Sequence, residues 1–324
     1  MQLSREKKIS DMRTAFGDVL VELGTSNNDI VCVGADTTDS LKTKKFGDIF
    51  PDRMFNVGIA EANLVSIAAG LAIAGKIPFA STYSAFLPGR CLDQIRNTIC
   101  YPNLNVKLVV SHAGLTVGPD GASHQQIEDF STMRAIPNMR VAVPADAIAV
   151  KHLIKLVTRL CGPFYVRLAR PSNKVIYEDN EAFFNVGKGN ILRDGSDATI
   201  ISCGLMVGVS LEAAAKLEHD KDISCRVVDM FSVKPVDKQL VADCARETGF
   251  IVTAEEHSII GGLGGAVAES CTETYPVAIT RLGIKDTFGE SARDEEIHLL
   301  LEKYGLTAKE ITDAVLKSRS LERR

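Results

Sequence analysis

Glu61 is the residue whose placement first demands a chemical account. A short run of β type ends at Gly58 and an apolar helix follows, with Leu64, Val65, Ala68 and Ala72 recurring at three- and four-residue spacings from the acid. The carboxylate therefore falls on the stripe that faces the core, where it needs a partner or a proton. Two readings stay open on this stretch alone: an acid in the first helical turn that complements the macrodipole, or a proton-donating acid held in a dry site. His112, Asp120 and His124 share one glycine-rich loop, residues 111–125, directly after a core strand, and its glycines let backbone approach a ligand closely. Imidazoles change charge near neutral pH and so move protons readily. Tyr83 and Phe86 are three residues apart, which turns both rings to one side once the chain becomes helical and suits either core packing or a platform for a flat heterocycle. Arg170, at the end of the run 164–170, is built to bind a phosphate or to pair with a surface carboxylate.

The elements that must hold these groups alternate between β and α patterns. Apolar runs at 30–34, 55–57, 77–81, 106–111, 139–143 and 164–168 predict strands, with helical or loop segments between most of them, the signature of a parallel sheet with crossover helices. An amphipathic helix is expected over 11–24. The helix after Phe86 should turn Leu92, Ile95 and Ile99 to one face, and Asp146 should open another helix. Ligands bind beyond the carboxyl ends of the strands in such sheets. Asp36, Ser40, Glu61, Tyr83, His112 and Arg170 each fall just past a predicted strand.

A second α/β unit follows, with strands expected at 198–202, 225–229, 250–253 and 277–282 and helices near 206–217, 237–248, 262–273 and 307–318. The organisation read from the sequence is an N-terminal tail over 1–10, a first α/β domain over 11–172, a linker over 173–188, a second and smaller α/β domain over 189–318 and a charged tail over 319–324. Glu255, Glu256 and His257 precede glycines 261, 262, 264 and 265. Their spacing is not Gly-x-Gly-x-x-Gly, so the stretch reads as a tight strand-to-helix turn and not as a dinucleotide fingerprint.

Bulk composition narrows the partners. The 324 residues are 45% hydrophobic and 24% charged, enough for about two domains with cores of their own. A net charge of −4 argues against a nucleic-acid footprint. The eight cysteines are scattered without Cys-x-x-Cys spacing, so no zinc site, no other metal site and no disulfide framework is expected, and they read as reduced thiols of a cytoplasmic protein. No apolar run approaches the ~18 residues that a membrane helix needs, so no membrane association is expected.

Taken in order, the motifs resemble the C-terminal half of transketolase. The stretch Phe50-Pro51-Asp52-Arg53-Met54-Phe55-Asn56-Val57-Gly58-Ile59-Ala60-Glu61 is similar to the family's segment bearing the acid that protonates the aminopyrimidine of thiamine diphosphate. Gly118-Pro119-Asp120-Gly121-Ala122-Ser123-His124-Gln125 is similar to its Asp-Gly-x-(Thr/Ser)-His-Gln loop. The resemblance covers nearly the whole chain from about residue 10. It implies a thiamine-diphosphate pyrimidine-binding domain followed by a transketolase C-terminal domain, and transfer of a two-carbon ketol unit from a ketose phosphate to an aldose phosphate, as in the pentose phosphate pathway. Carried over, Glu61 is the acid on the pyrimidine ring, Phe86 stacks on that ring, and Tyr83 and Asp36 are further cofactor contacts. His112, Asp120 and His124 line the substrate channel, with both histidines moving protons, and Arg170 and Ser40 hold the sugar phosphate. Pro119, Ala62, Ala122 and Tyr83 depart from residues common in the family and bear on which sugar is preferred.

The family binds Mg²⁺ and diphosphate through a Gly-Asp-Gly motif and a following Asn in its N-terminal half. Here only Gly17-Asp18 and Gly47-Asp48 occur, both in ordinary helix or turn contexts. The resemblance thus implies half a site, completed by a separate N-terminal subunit carrying the metal and diphosphate contacts, with two copies of each chain in a heterotetramer. Alternatives from the same sequence are a 1-deoxyxylulose-5-phosphate synthase-like subunit, a 2-oxo-acid dehydrogenase β-like subunit and a non-catalytic paralogue.

Overall fold

The computed structural model describes residues 9–179 and 184–322; most of the expected N-terminal tail, part of the expected linker and the last two residues lie outside the described residues. Strand-forming runs, buried on both faces in inner strands such as Ile30–Gly34 and Lys107–Ser111, build a seven-stranded sheet with helices packed on its sides. Its order is Ser232–Lys234, Arg140–Ala142, Phe164–Arg167, Lys107–Ser111, Ile77–Tyr83, Ile30–Gly34 and Met54–Asn56. All pairs are parallel except the first, which is antiparallel. The strand order reverses at Ile30–Gly34, between Ile77–Tyr83 and Met54–Asn56, which makes the carboxyl ends of these strands the natural binding crevice.

A second, five-stranded sheet has the order Ala278–Ile284, Phe250–Ser258, Ala198–Ser202, Cys225–Asp229 and Asn190–Arg193, with only the last pair antiparallel. Asp146 caps the helix Ala147–Arg159 by accepting from the Ala149 N–H at 2.7 Å, as expected. All eight cysteines are unpaired thiols and only Cys161 is exposed. Among the described residues no helix is long and apolar enough to cross a membrane.

Several expectations need correction. Ile9–Ser10, placed in a tail, pairs antiparallel with Asn173–Lys174, placed in the linker. The charged tail expected from 319 is helical to Glu322, and Arg319 bonds Asp197 at 2.7 Å. Leu92 is 42% exposed, whereas Ile95 and Ile99 are buried. A non-helical Cys91 (φ −123°) and a π-wound turn over Gln94–Cys100 rotate Leu92 off the face that a regular helix would give it. Ser232–Lys234 carried no strand signal, because three residues hold too few alternations to show a period.

The two units share one interior. A continuous apolar cluster joins Val33, Leu64, Val110 and Tyr165 of the first to Ile201, Val228 and Met230 of the second. At its centre is a buried polar seam. Arg167 Nε donates to Asp129 at 2.9 Å, and Arg167 Nη2 donates to the Glu256 carbonyl at 2.9 Å; Tyr165 Oη also donates to Asp129 at 2.9 Å. His257 Nδ1 donates to the Ser258 carbonyl, so its Nε2 accepts from the Phe130 N–H at 3.1 Å, and burial holds this imidazole neutral with a pKa of about 4. Replacing Arg167 by Met strands the Asp129 charge in this seam. Urea unfolding is expected to show a loss of about 3–5 kcal/mol with an unchanged m-value; a loss below about 1 kcal/mol would contradict the assignment.

Candidate active site

The strands Ile30–Gly34, Ile77–Tyr83 and Lys107–Ser111 end on one crevice. Asp36 (φ 59°) and His112 (φ 57°) both leave their strands in left-handed backbone, a conformation that costs side-chain-bearing residues of order 1–3 kcal/mol and concentrates at functional sites. Tyr83 closes its strand and donates from Oη to Ser40 Oγ at 2.9 Å. The His112 ring stacks on Tyr83 with centroids 3.9 Å apart, and Phe86 lies 5.9 Å from Tyr83 at an interplanar angle of 27°. His124 meets Phe86 edge-on at 5.1 Å and 72°. Tyr83, Phe86, His112, His124 and Ser40, expected at one site from separate motifs, therefore form one cluster.

Glu61 is the first residue of the helix Glu61–Ile73 and is 4% exposed. The preceding Ala60 offers no side-chain cap, and the acid both complements the macrodipole from the first turn and is buried. Its partner is Arg90, which donates from Nη1 to Glu61 Oε2 at 3.0 Å and places its guanidinium carbon 4.1 Å from the Phe86 ring centroid. Glu61 is thereby joined to the aromatic cluster.

His112 is 4% exposed, and its Nδ1 lies 2.7 Å from Ser111 Oγ. Burial, reinforced by the charges of Arg13 and Arg170, pushes its pKa down to about 3, so the ring is a neutral hydrogen-bonding group and not a cation. Arg13 escaped the sequence reading. It lies in the first turn of the helix Met12–Ser26, paired at 2.8 Å with Asp11, and a charge pair at a helix start reads as ordinary capping. Arg170 forms a two-point pair with Asp294, at 2.6 and 3.3 Å. Asp120 is exposed, near enough for its charge to raise the Arg170 pKa together with the stronger Asp294 bond. Asp36 stands apart: it is exposed and exchanges bonds of 2.9 and 3.2 Å with Asn56, making none to Glu61, Tyr83 or Phe86.

The second unit shapes the loop that carries both histidines. Glu256 Oε1 accepts from the Thr116 N–H at 2.8 Å, and a Cβ on Gly114 (φ 79°) would lie 2.4 Å from the Glu256 carboxyl carbon, so only glycine fits there. Gln125 Nε2 donates to the Leu115 and Glu290 carbonyls at 2.8 Å each, and the Ala292 N–H donates to the Gly118 carbonyl. Among the described residues no three His, Cys, Asp or Glu side chains converge to hold a metal ion, and Gly17-Asp18 and Gly47-Asp48 are both helical.

Residues 8–174 match the family described as transketolase, pyrimidine binding domain, and residues 187–311 match transketolase, C-terminal domain. A Methanocaldococcus jannaschii protein described as a transketolase C-terminal section is 45% identical over 94% of this chain and 95% of its own length. A subunit of a 6-deoxy-6-sulfo-D-fructose transketolase from a Clostridium species is 40% identical over 94% of this chain and 92% of its own. The solved structure of a split-gene transketolase, an inactive β4 tetramer, superposes with a TM-score of 0.88 at 48% identity, covering 96% of this chain and 99% of that one. With these matches spanning nearly the whole of its two-domain α/β fold, the chain belongs to the transketolase family.

Proposed function

We propose that the chain is the C-terminal subunit of a two-subunit transketolase that moves a two-carbon ketol unit from a ketose phosphate to an aldose phosphate. The observation that carries this reading is Glu61, a buried carboxylate joined through Arg90 to the face of Phe86. A carboxylate beside a flat aromatic surface fits the aminopyrimidine of thiamine diphosphate, which needs a stacking face and an acid at its ring nitrogen. Thiamine diphosphate, when bound, supplies the nucleophilic carbon that accepts and passes on the two-carbon unit.

The chain's own groups divide the remaining work. Glu61 would hold a proton between its carboxylate and the ring nitrogen, in a site dry enough to strengthen that bond. His112, held neutral, would hydrogen-bond a sugar oxygen without adding charge. His124 and Asp120, on the same loop, would serve hydroxyls further along the sugar, and Arg170 and Ser40 would hold the anionic terminus. The diphosphate and Mg²⁺ would be held by a separate N-terminal subunit, two copies of each chain forming the active assembly. The two-point grip of Arg170 on a carboxylate supports an anion at that end, since one guanidinium fork suits carboxylate and phosphate alike.

Four measurements test the reading. Two-carbon transfer from xylulose 5-phosphate to ribose 5-phosphate is expected only when the chain, an N-terminal partner, thiamine diphosphate and Mg²⁺ are mixed. Glu61→Gln should lower kcat by about 10²–10⁴-fold; retention of full rate by that variant would remove Glu61 from the chemistry. Arg170→Ala should raise KM for the phosphorylated sugar by about 10–100-fold with a much smaller change in kcat. In an NMR titration of the imidazole resonances, His112 should show no midpoint between pH 5 and 8, because its folded pKa lies near 3. A midpoint near 6.5 would mean that burial does not hold the ring neutral.

A further inference from the structure

Arg90 presents to Glu61 and Phe86 the same two features that a protonated aminopyrimidine would present. A guanidinium is flat, cationic and carries donors along its edge. In this structure its Nη1 donates to Glu61 Oε2 at 3.0 Å, while its carbon sits 4.1 Å from the Phe86 ring centroid. The side chain is half exposed at 52%, whereas that of Glu61 is 5% exposed, so the guanidinium can leave toward solvent and the acid cannot.

The local backbone favours such a departure. Cys91, the next residue, breaks the helix Leu87–Asp93 with φ −123° and ψ 17°, and the chain then winds as a π-helix over Gln94–Cys100. Irregular turns of this kind recur at functional sites, where they free a residue from the regular helical lattice. The stretch Leu87-Pro88-Gly89 before Arg90 adds a residue without a side chain on its immediate N-terminal side, and nothing lies within 4 Å of where a Cβ at Gly89 would be.

We propose that Arg90 is an internal competitor for the cofactor ring, one that keeps the buried Glu61 carboxylate paired until the aminopyrimidine displaces it and so sets the cofactor affinity of the assembled enzyme. The inference rests on the reading of Glu61 and Phe86 as the aminopyrimidine site. A ligand that must displace an intramolecular partner binds with an affinity reduced by the fraction of time the site is open. Removing the competitor therefore tightens binding.

The test is calorimetric titration of thiamine diphosphate, with Mg²⁺, into the assembled pair of subunits carrying wild-type Arg90, Arg90→Met or Arg90→Lys. Met keeps the stem over Phe86 but removes the cation and the donors, and is expected to lower Kd by about 5–10-fold. Lys keeps the charge but lacks the flat fork, and should lower it about two- to threefold. Thermal unfolding gives a second readout. In the isolated chain Arg90→Met should lower Tm, because Glu61 loses its partner; in the cofactor-saturated complex it should not. An unchanged or higher Kd for Arg90→Met overturns the inference and would mean that Arg90 stays and helps hold the ring. Failure of the wild-type pair to bind thiamine diphosphate at all overturns the underlying reading and this inference together.

Discussion

The fork of Arg167 is the interaction on which the rest of the structure depends. It sits on the last parallel strand of the first sheet, and from there it reaches Asp129, the Gln126 carbonyl and the Glu256 carbonyl. A guanidinium buried to this depth is tolerable only when its donors are met by a carboxylate and by backbone oxygens. Those acceptors come from both units: Asp129 and Gln126 from the first, Glu256 from the second. The charge therefore dictates how the two units must approach, and the approach in turn brings Glu256 against Gly114 and Thr116. The position of the two-histidine loop is thus a consequence of satisfying a charge some distance away.

Most of the first sheet was legible in the sequence, because strands buried on both faces leave continuous apolar runs with turns between them. The rule that ligands gather past the carboxyl ends of such strands placed Tyr83, His112 and Ser40 together, and the structure stacks the His112 and Tyr83 rings and bonds Tyr83 to Ser40. What escaped was whatever depends on pairing across distance. Arg13 and Asp294 gave no local signal, because a charge near a helix start or in an acidic stretch looks like ordinary surface. Arg90 was invisible for a different reason: the kink at Cys91 and the π-turn beyond it alter the phase that spacing arguments assume. The same irregularity turned Leu92 outward. Glu255, Glu256 and His257, read as a turn after a strand ending at 253, instead lie inside the strand Phe250–Ser258, and each holds a different element: the helix Leu263–Glu273, the loop at Thr116 and the amide of Phe130.

Charge at the crevice is arranged in pairs. Glu61 faces Arg90, Arg170 faces Asp294, and Arg13 faces Asp11. Each of these charged groups thus already meets a partner from the chain. His112 is the exception, held neutral by burial, with the charges of Arg13 and Arg170 adding to the effect. Pairing of this kind keeps the charges from being stranded, so a ligand that came to any of these groups would exchange one partner for another.

The antiparallel strand Ser232–Lys234 belongs by sequence to the second unit but hydrogen-bonds to Arg140–Ala142 in the first sheet. Without it, Arg140–Ala142 would be a raw sheet edge presenting unpaired amides and carbonyls, the kind of surface that templates aggregation. The first unit is therefore finished only when the chain some sixty residues beyond its last parallel strand has folded back. Loss of the second unit would bare Arg140–Ala142, and loss of the first would leave Ser232–Lys234 without its partner, so each unit depends on the other for a strand pairing. Cutting the connecting segment would nick the chain without separating it into two soluble halves.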